Sequence, residues 1–150
     1  MSGPHTVERM SDDALWDLLA RPGLRGVLTT LKRDGRPQLS VVFHHYDAAS
    51  KTLSISVTDT RAKTKNLRRD PRASYLVLGD TPWQYVVAEG IAEVGDVARA
   101  PDDAAADALV ELYRAQAGEH DDWDQYRAAM VADQRLVLRI RVERVYGMIA

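Results

Sequence analysis

Residues Leu53 to Thr58 alternate without a break: Leu53, Ile55 and Val57 fall on one side, Ser54, Ser56 and Thr58 on the other. A period of two marks a strand with one buried face. The same rhythm returns near the end, where Leu136, Leu138, Ile140 and Val142 alternate with Arg139, Arg141 and Glu143, predicting a strand over Arg135–Tyr146. Strands are also predicted over Val27–Leu31, Pro37–Tyr46, Ala73–Leu78 and Trp83–Val94. Asp34-Gly35 between the first two is a strong hairpin turn. Helical spacing appears in Leu15, Trp16, Leu18 and Leu19, with Ser11 as the expected cap and Pro22-Gly23 as the stop. A second helix is expected between Thr60 and Pro71, a third over 102–118 ending at Gly118, and a fourth from Asp122 to Ala132. About six strands joined as hairpins, with no strand–helix–strand rhythm, predict one mainly-β domain over 1–150, an antiparallel barrel with peripheral helices.

The helix between Thr60 and Pro71 carries its charges in an unexpected order. Arg68 and Arg69 fall in its last turn, where cations complement the helix dipole. Arg61 and Lys63 fall in the first turn, where cations are disfavoured by a few tenths of a kcal/mol, up to roughly 1. Two cations beside free backbone N–H groups call for an anion, and helix N-termini are ready phosphate sites. A phosphorylated ligand is the first functional expectation.

Charge distribution sharpens this. The net charge is only −2, which argues against a general nucleic-acid binder. Yet residues 61–73 hold six Lys/Arg against Asp70 alone, and residues 101–124 hold eight acids against Arg114 alone. The acidic run reads as a solvated helix face. There is no cysteine, which excludes disulfides and thiolate chemistry. Apolar runs such as Tyr75-Leu76-Val77-Leu78 are far too short for a membrane span. Asp12 and Asp13 stand where a signal peptide needs apolar residues, so a cytoplasmic protein without membrane or nucleic-acid partners is expected.

Other candidate groups gather around the same helix. Ser54, Ser56, Thr58 and Thr60 share one side by period two, and Gln38, Ser40, Val42 and His44 share one in the preceding strand. Small hydroxyls and an amide ending at a cationic helix suit a planar heteroaromatic ligand with a phosphate arm; the alternative is a plain solvent-facing wall. Trp83, Gln84 and Tyr85 open a strand, as core residues or as a stacking surface. His44 and His45, being adjacent, point to opposite faces and cannot easily chelate one ion, so no metal site is expected. No G-x-S-x-G elbow or phosphate loop is present.

Three blocks in this order resemble a known family: Gly35-Arg36-Pro37-Gln38-Leu39-Ser40, Arg61 to Ser74, and Trp83 to Gly90. Leu112-Tyr113-Arg114, Gly118-Glu119-His120, Asp122-Trp123 and Val145-Tyr146-Gly147 extend the likeness from about Leu15 to Gly147. The chain resembles the pyridoxamine 5'-phosphate oxidase-like superfamily, and within it the flavin/deazaflavin oxidoreductases that use coenzyme F420. The resemblance implies a six-stranded antiparallel split β-barrel of the FMN-binding type, working as a homodimer with the cofactor in a shared groove. It implies that Arg61 and Lys63 hold the cofactor phosphate, that Asn66, Ser56, Ser40 and Gln38 line the phosphate arm or ring, and that Trp83, Gln84 and Tyr85 come from the partner subunit. The implied activity is hydride transfer from reduced F420 to a small-molecule organic acceptor, with an FMN-dependent reductase or a non-catalytic cofactor carrier as alternatives. Tyr85, His44 and solvent stay open as the proton source. Val41 stands where deazaflavin relatives often carry Asn. The end at Ala150, short of the C-terminal substrate-binding extension of true pyridoxamine-phosphate oxidases, points away from that activity. Lys32, Arg33, Arg36 and Lys65 are candidate cations for the polyglutamate tail of F420.

Overall fold

In the computed structural model, the backbone is described from Pro4 to Ala150 and side chains from Asp12 onward. Seven strands form one antiparallel sheet: β1 (Arg25–Leu31), β2 (Pro37–Phe43), β3 (His45–Asp47), β4 (Thr52–Thr58), β5 (Arg72–Leu78), β6 (Gln84–Val94) and β7 (Arg135–Ile149). Their order across the sheet is β2-β1-β5-β6-β7-β4-β3. Four helices accompany them: α1 (Pro4–Ala20), α2 (Ala62–Arg69), α3 (Ala104–Ala117) and α4 (Trp123–Ala132).

The two outermost strands, β2 and β3, are consecutive in sequence and separated by His44 alone. A sheet whose opposite ends meet in one residue must curl on itself, and this one makes a split barrel. The predicted strand Pro37–Tyr46 is therefore two strands rather than one, and the sheet has seven strands rather than six. The chain leaves its ladder with β1 at Phe43 and joins β4 at His45. Alternation continues through the switch, so the pattern alone does not reveal it.

The barrel interior is filled by the apolar face of each strand. Leu53, Ile55 and Val57 of β4 oppose Ile140, Leu138 and Leu136 of β7, and all six are at most 1% exposed. Tyr75 is fully buried and lies against β1 at Gly26. A Cβ at Gly26 would sit 2.3 Å from the Tyr75 ring, so only glycine lets the two strands pair there. The Lys32–Arg36 hairpin turns as expected, with Gly35 at φ +86°.

Leu15, Leu18 and Leu19 of α1 join this core. The helix already runs through Ser11, so Ser11 is not its cap; its side chain lies outside the described ones. Outside the barrel, α3 covers Val137 of β7 through Ala106, Leu109 and Leu112, and Tyr126, Met130 and Val131 of α4 pack against this second apolar cluster. Asp103 and Asp122 cap these helices, accepting from the amides of Ala106 and Gln125. Two acids of the acidic run thus serve as caps, and Glu111 and Glu119 pair with Arg114.

Candidate functional site

Helix α2 begins one residue later than predicted. Arg61, not Thr60, is the N-cap, with an extended backbone (φ −73°, ψ 152°) and no side-chain hydrogen bond to the first turn. The hydroxyl that fixes this corner is Thr64, which donates to the Thr58 carbonyl at 2.8 Å and is fully buried. Asp70 closes the helix ahead of Pro71, as expected. Arg68 pairs with Asp59 at 2.6 Å, and Arg69 donates to the Leu31 carbonyl at 2.6 Å, so both serve the fold. Among the described residues, neither Arg61 nor Lys63 has an acidic partner.

These two cations border a cleft of about 460 Å³ that occupies the split of the barrel. One wall is Val41, Val42 and Phe43 of β2; the other is Ser56, Val57 and Thr58 of β4. Consecutive residues of a strand alternate faces, so three in a row on each wall means that strand edges line the cleft. β2 pairs only with β1, and β3 covers β4 only from Thr52 to Ser54. No further strand covers either edge there. On β4 the Ser56 and Thr58 carbonyls are already engaged by Arg135 and Thr64, which leaves the remaining backbone groups of the two edges to a flat heterocycle inserted between them.

Arg135 is a third cation of this cleft, and sequence reasoning missed it. It opens β7 opposite Thr58 of β4, and that pairing carries it across the chain to the α2 corner. Its guanidinium donates to Asp133 at 2.6 Å and to the Ser56 carbonyl at 3.3 Å. Lys63 registers the crowding: burial lowers its pKa, and repulsion from Arg61 and Arg135 lowers it further. A bound dianion would relieve that repulsion, so the donor set fits a phosphate.

The remaining predicted residues separate into two groups. Ser56, Arg61 and Lys63 meet in the cleft, whereas Gln38, Ser40 and Asn66 are not on its walls. Asn66 is buried and donates to the Thr30 hydroxyl at 3.1 Å, which in turn donates to Gln38 at 3.3 Å. That chain of bonds pins α2 to the β1–β2 hairpin. The Ser40 hydroxyl is buried without a partner. Trp83, Gln84 and Tyr85 also lie away from this chain's own cleft. Gln84 turns back to accept from the Asp80 amide, while Trp83 stands 64% exposed.

His44, at the strand switch, is buried and hydrogen-bonded through Nδ1 to the Tyr75 hydroxyl at 2.5 Å. Burial holds its pKa below the ordinary histidine value, and His45 adds to the effect, against a hydrogen bond to the Leu19 backbone that favours the charged form. Burial also raises the Tyr75 pKa, so the pair is neutral and tethers the switch to β5. Among the described residues, no three potential metal-ligating side chains of His, Cys, Asp or Glu converge, and no helix is long and apolar enough to cross a membrane.

Similarity to known proteins follows this geometry. A solved structure described as an F420 reductase is 26% identical, with a TM-score of 0.64, over 87% of this chain and 94% of that one. A conserved hypothetical protein from Mycobacterium tuberculosis is 25% identical, with a TM-score of 0.67, over 93% and 84% of the two chains. A heme binding protein from Mycobacterium smegmatis is 25% identical with a TM-score of 0.59, over 89% of this chain but 51% of that one. The sequence model of the pyridoxamine 5'-phosphate oxidase family matches residues 7–149. With a split barrel and a match along nearly its whole length, the chain belongs to the pyridoxamine 5'-phosphate oxidase family.

Proposed function

We propose that this protein is a coenzyme F420-dependent oxidoreductase that passes a hydride to a small organic acceptor. The observation that carries the reading is the cleft: three cations at one end of a slot walled by free strand edges. The likeness to the F420 reductase supports the choice of cofactor. Arg61 and Lys63 hold the phosphate, with the α2 amides adding to the attraction. Arg135 closes the anion site from the β7 side. Ser56 and the β2 and β4 edges orient the ring, and the barrel walls exclude water from one of its faces. The cofactor, when bound, supplies a hydride donor at C5, and the protein contributes placement and electrostatics. Lys32, Arg33, Arg36 and Lys65, all exposed, supply cations for an anionic tail beyond the phosphate.

The working unit is a homodimer. Leu39, Val41, Phe43, Leu78, Trp83, Tyr146 and Met148 are large apolar residues left 42–66% exposed, a patch that suits a second copy. In that arrangement the second copy's Trp83, Gln84 and Tyr85 complete the groove beside Phe43.

Separate titrations of the purified chain with F420 and with FMN test this reading. Saturable F420 binding that Arg61→Ala weakens is expected. FMN binding with no measurable F420 affinity would overturn the choice of cofactor and leave a flavin-dependent reductase on the same residues.

A further inference from the structure

A second cleft, of about 510 Å³, adjoins the first and shares Phe43 and Gln116 with it. It lies between the end of α1, the β2–β3 switch and the end of α3. Its chemistry is the reverse of the first. Arg21 is neutralised by a two-pronged pair with Asp80 at 3.1 and 3.2 Å. His44 is held neutral by burial. Among the described residues, no acid and no unpaired Lys or Arg lines it, so an ionic ligand finds no counter-charge there.

Two aromatic walls of this cleft are propped from behind. Tyr113 packs against His120, Trp123 and Tyr126 with ring centroids 5.2, 5.6 and 5.0 Å away. Tyr46 stacks on Trp16 at 6.2 Å, and the Lys51 ammonium lies over the Trp16 ring, 4.8 Å from its centroid. Rings locked in this way present flat apolar surface at little entropic cost on binding. His45 and Gln116 are the polar groups able to fix the orientation of a bound molecule.

We propose that this second cleft binds an uncharged, flat, largely apolar molecule with a hydrogen-bonding oxygen. That molecule is the hydride acceptor: its apolar body is held here, and its reacting carbon reaches past Phe43 to lie against the face of the cofactor ring. The binding site stands on the cleft's own walls, whereas the partner role rests on the reading of the first cleft.

The probe is N-phenyl-1-naphthylamine, a neutral aromatic amine whose fluorescence rises in apolar sites. Ala117 and Ala20 are exposed residues on opposite walls, so Ala117→Trp and Ala20→Trp fill the cleft without touching the core. Each is expected to weaken probe binding by about tenfold or more while leaving the F420 and FMN titrations unchanged, since blocking a preformed apolar pocket removes most of its contact area. Arg61→Ala is expected to leave probe binding unchanged. With reduced cofactor and 1,4-naphthoquinone as acceptor, both tryptophan variants should raise KM by a similar factor. Probe affinity equal to the parent chain in both variants, or loss of it in Arg61→Ala, would overturn the site. An unchanged KM in both variants would overturn the partner role. Failure of both cofactors to bind, with the probe pattern intact, would remove the reading of the first cleft and leave the apolar site standing.

Discussion

The two clefts meet at Phe43 and Gln116, yet one is walled by strand edges and cations and the other by propped aromatic rings. The first contains Arg61, Lys63 and Arg135, with Asp133, among the described residues, the one acid bonded to any of them. The second has its one Arg paired and its buried histidine neutral. On the proposed reading, the difference is how a single fold would sort the parts of its ligands. An unfinished sheet leaves backbone groups to read a polar ring, whereas helices laid across the barrel's outer face leave only side-chain surface. Charge enters where α2 begins and is cancelled where α1 ends.

Breaking the contrast at its charged end gives the largest effect. Arg61→Ala with Lys63→Ala removes two charge-assisted contacts, each worth about 1.5–3 kcal/mol, so cofactor affinity should fall by more than about 100-fold. The ligand-free double variant should melt no lower than the parent, since neither cation has an acidic partner among the described residues and both oppose the α2 dipole. A lower melting temperature would make them structural. The seam between the clefts comes next. Tyr75→Phe leaves His44 Nδ1 buried without its partner and should lower stability by about 1–3 kcal/mol in urea unfolding; a neutral result would mean that the tether does not hold the switch.

Arg135→Gln should weaken cofactor binding by less than about tenfold, because Asp133 already offsets part of that charge. It should also raise the Lys63 pKa by removing one repulsion, observable by NMR titration. The smallest effect is with pH. His44 has a folded-state pKa below its unfolded value, so the unfolded chain binds the proton more readily. Stability from this group is therefore complete above the unfolded value near 6.5 and declines as pH falls through it toward the folded value. Unfolding midpoints at pH 7 and pH 5.5 should differ less in His44→Gln than in the parent chain.

Legibility in the sequence followed locality. The alternation of β4, the helices near 102–118 and after Asp122, and the stop at Pro71 depend on neighbours a few residues away, and all are readable in the chain, although Asp103 and Asp122 prove to be caps ahead of their helices. The strand switch at His44 is not, because period two continues through both halves while the pairing partner changes from β1 to β4. Arg135 escaped notice because its place depends on its register with Thr58, far away in the sequence. Gln38 and Asn66 have the residue types of ligand groups; that Thr30, fully buried between them, bonds one atom of each depends on a contact between α2 and β1 that the sequence does not display. The cations at the start of α2 were legible because a misplaced charge is a local fact. The cleft around them was not, since it is made by the meeting of two edges.

Unpaired strand edges are the usual templates for β-aggregation. β2 is such an edge, and Leu39, Val41 and Phe43 on its outer face are each more than half exposed. The backbone groups placed to grip a planar ring are thus the same ones by which a ligand-free chain would capture another. On the proposed reading a bound cofactor and a second copy both cover this edge, so the ligand-free chain is expected to scatter more light on concentration than the same chain saturated with cofactor.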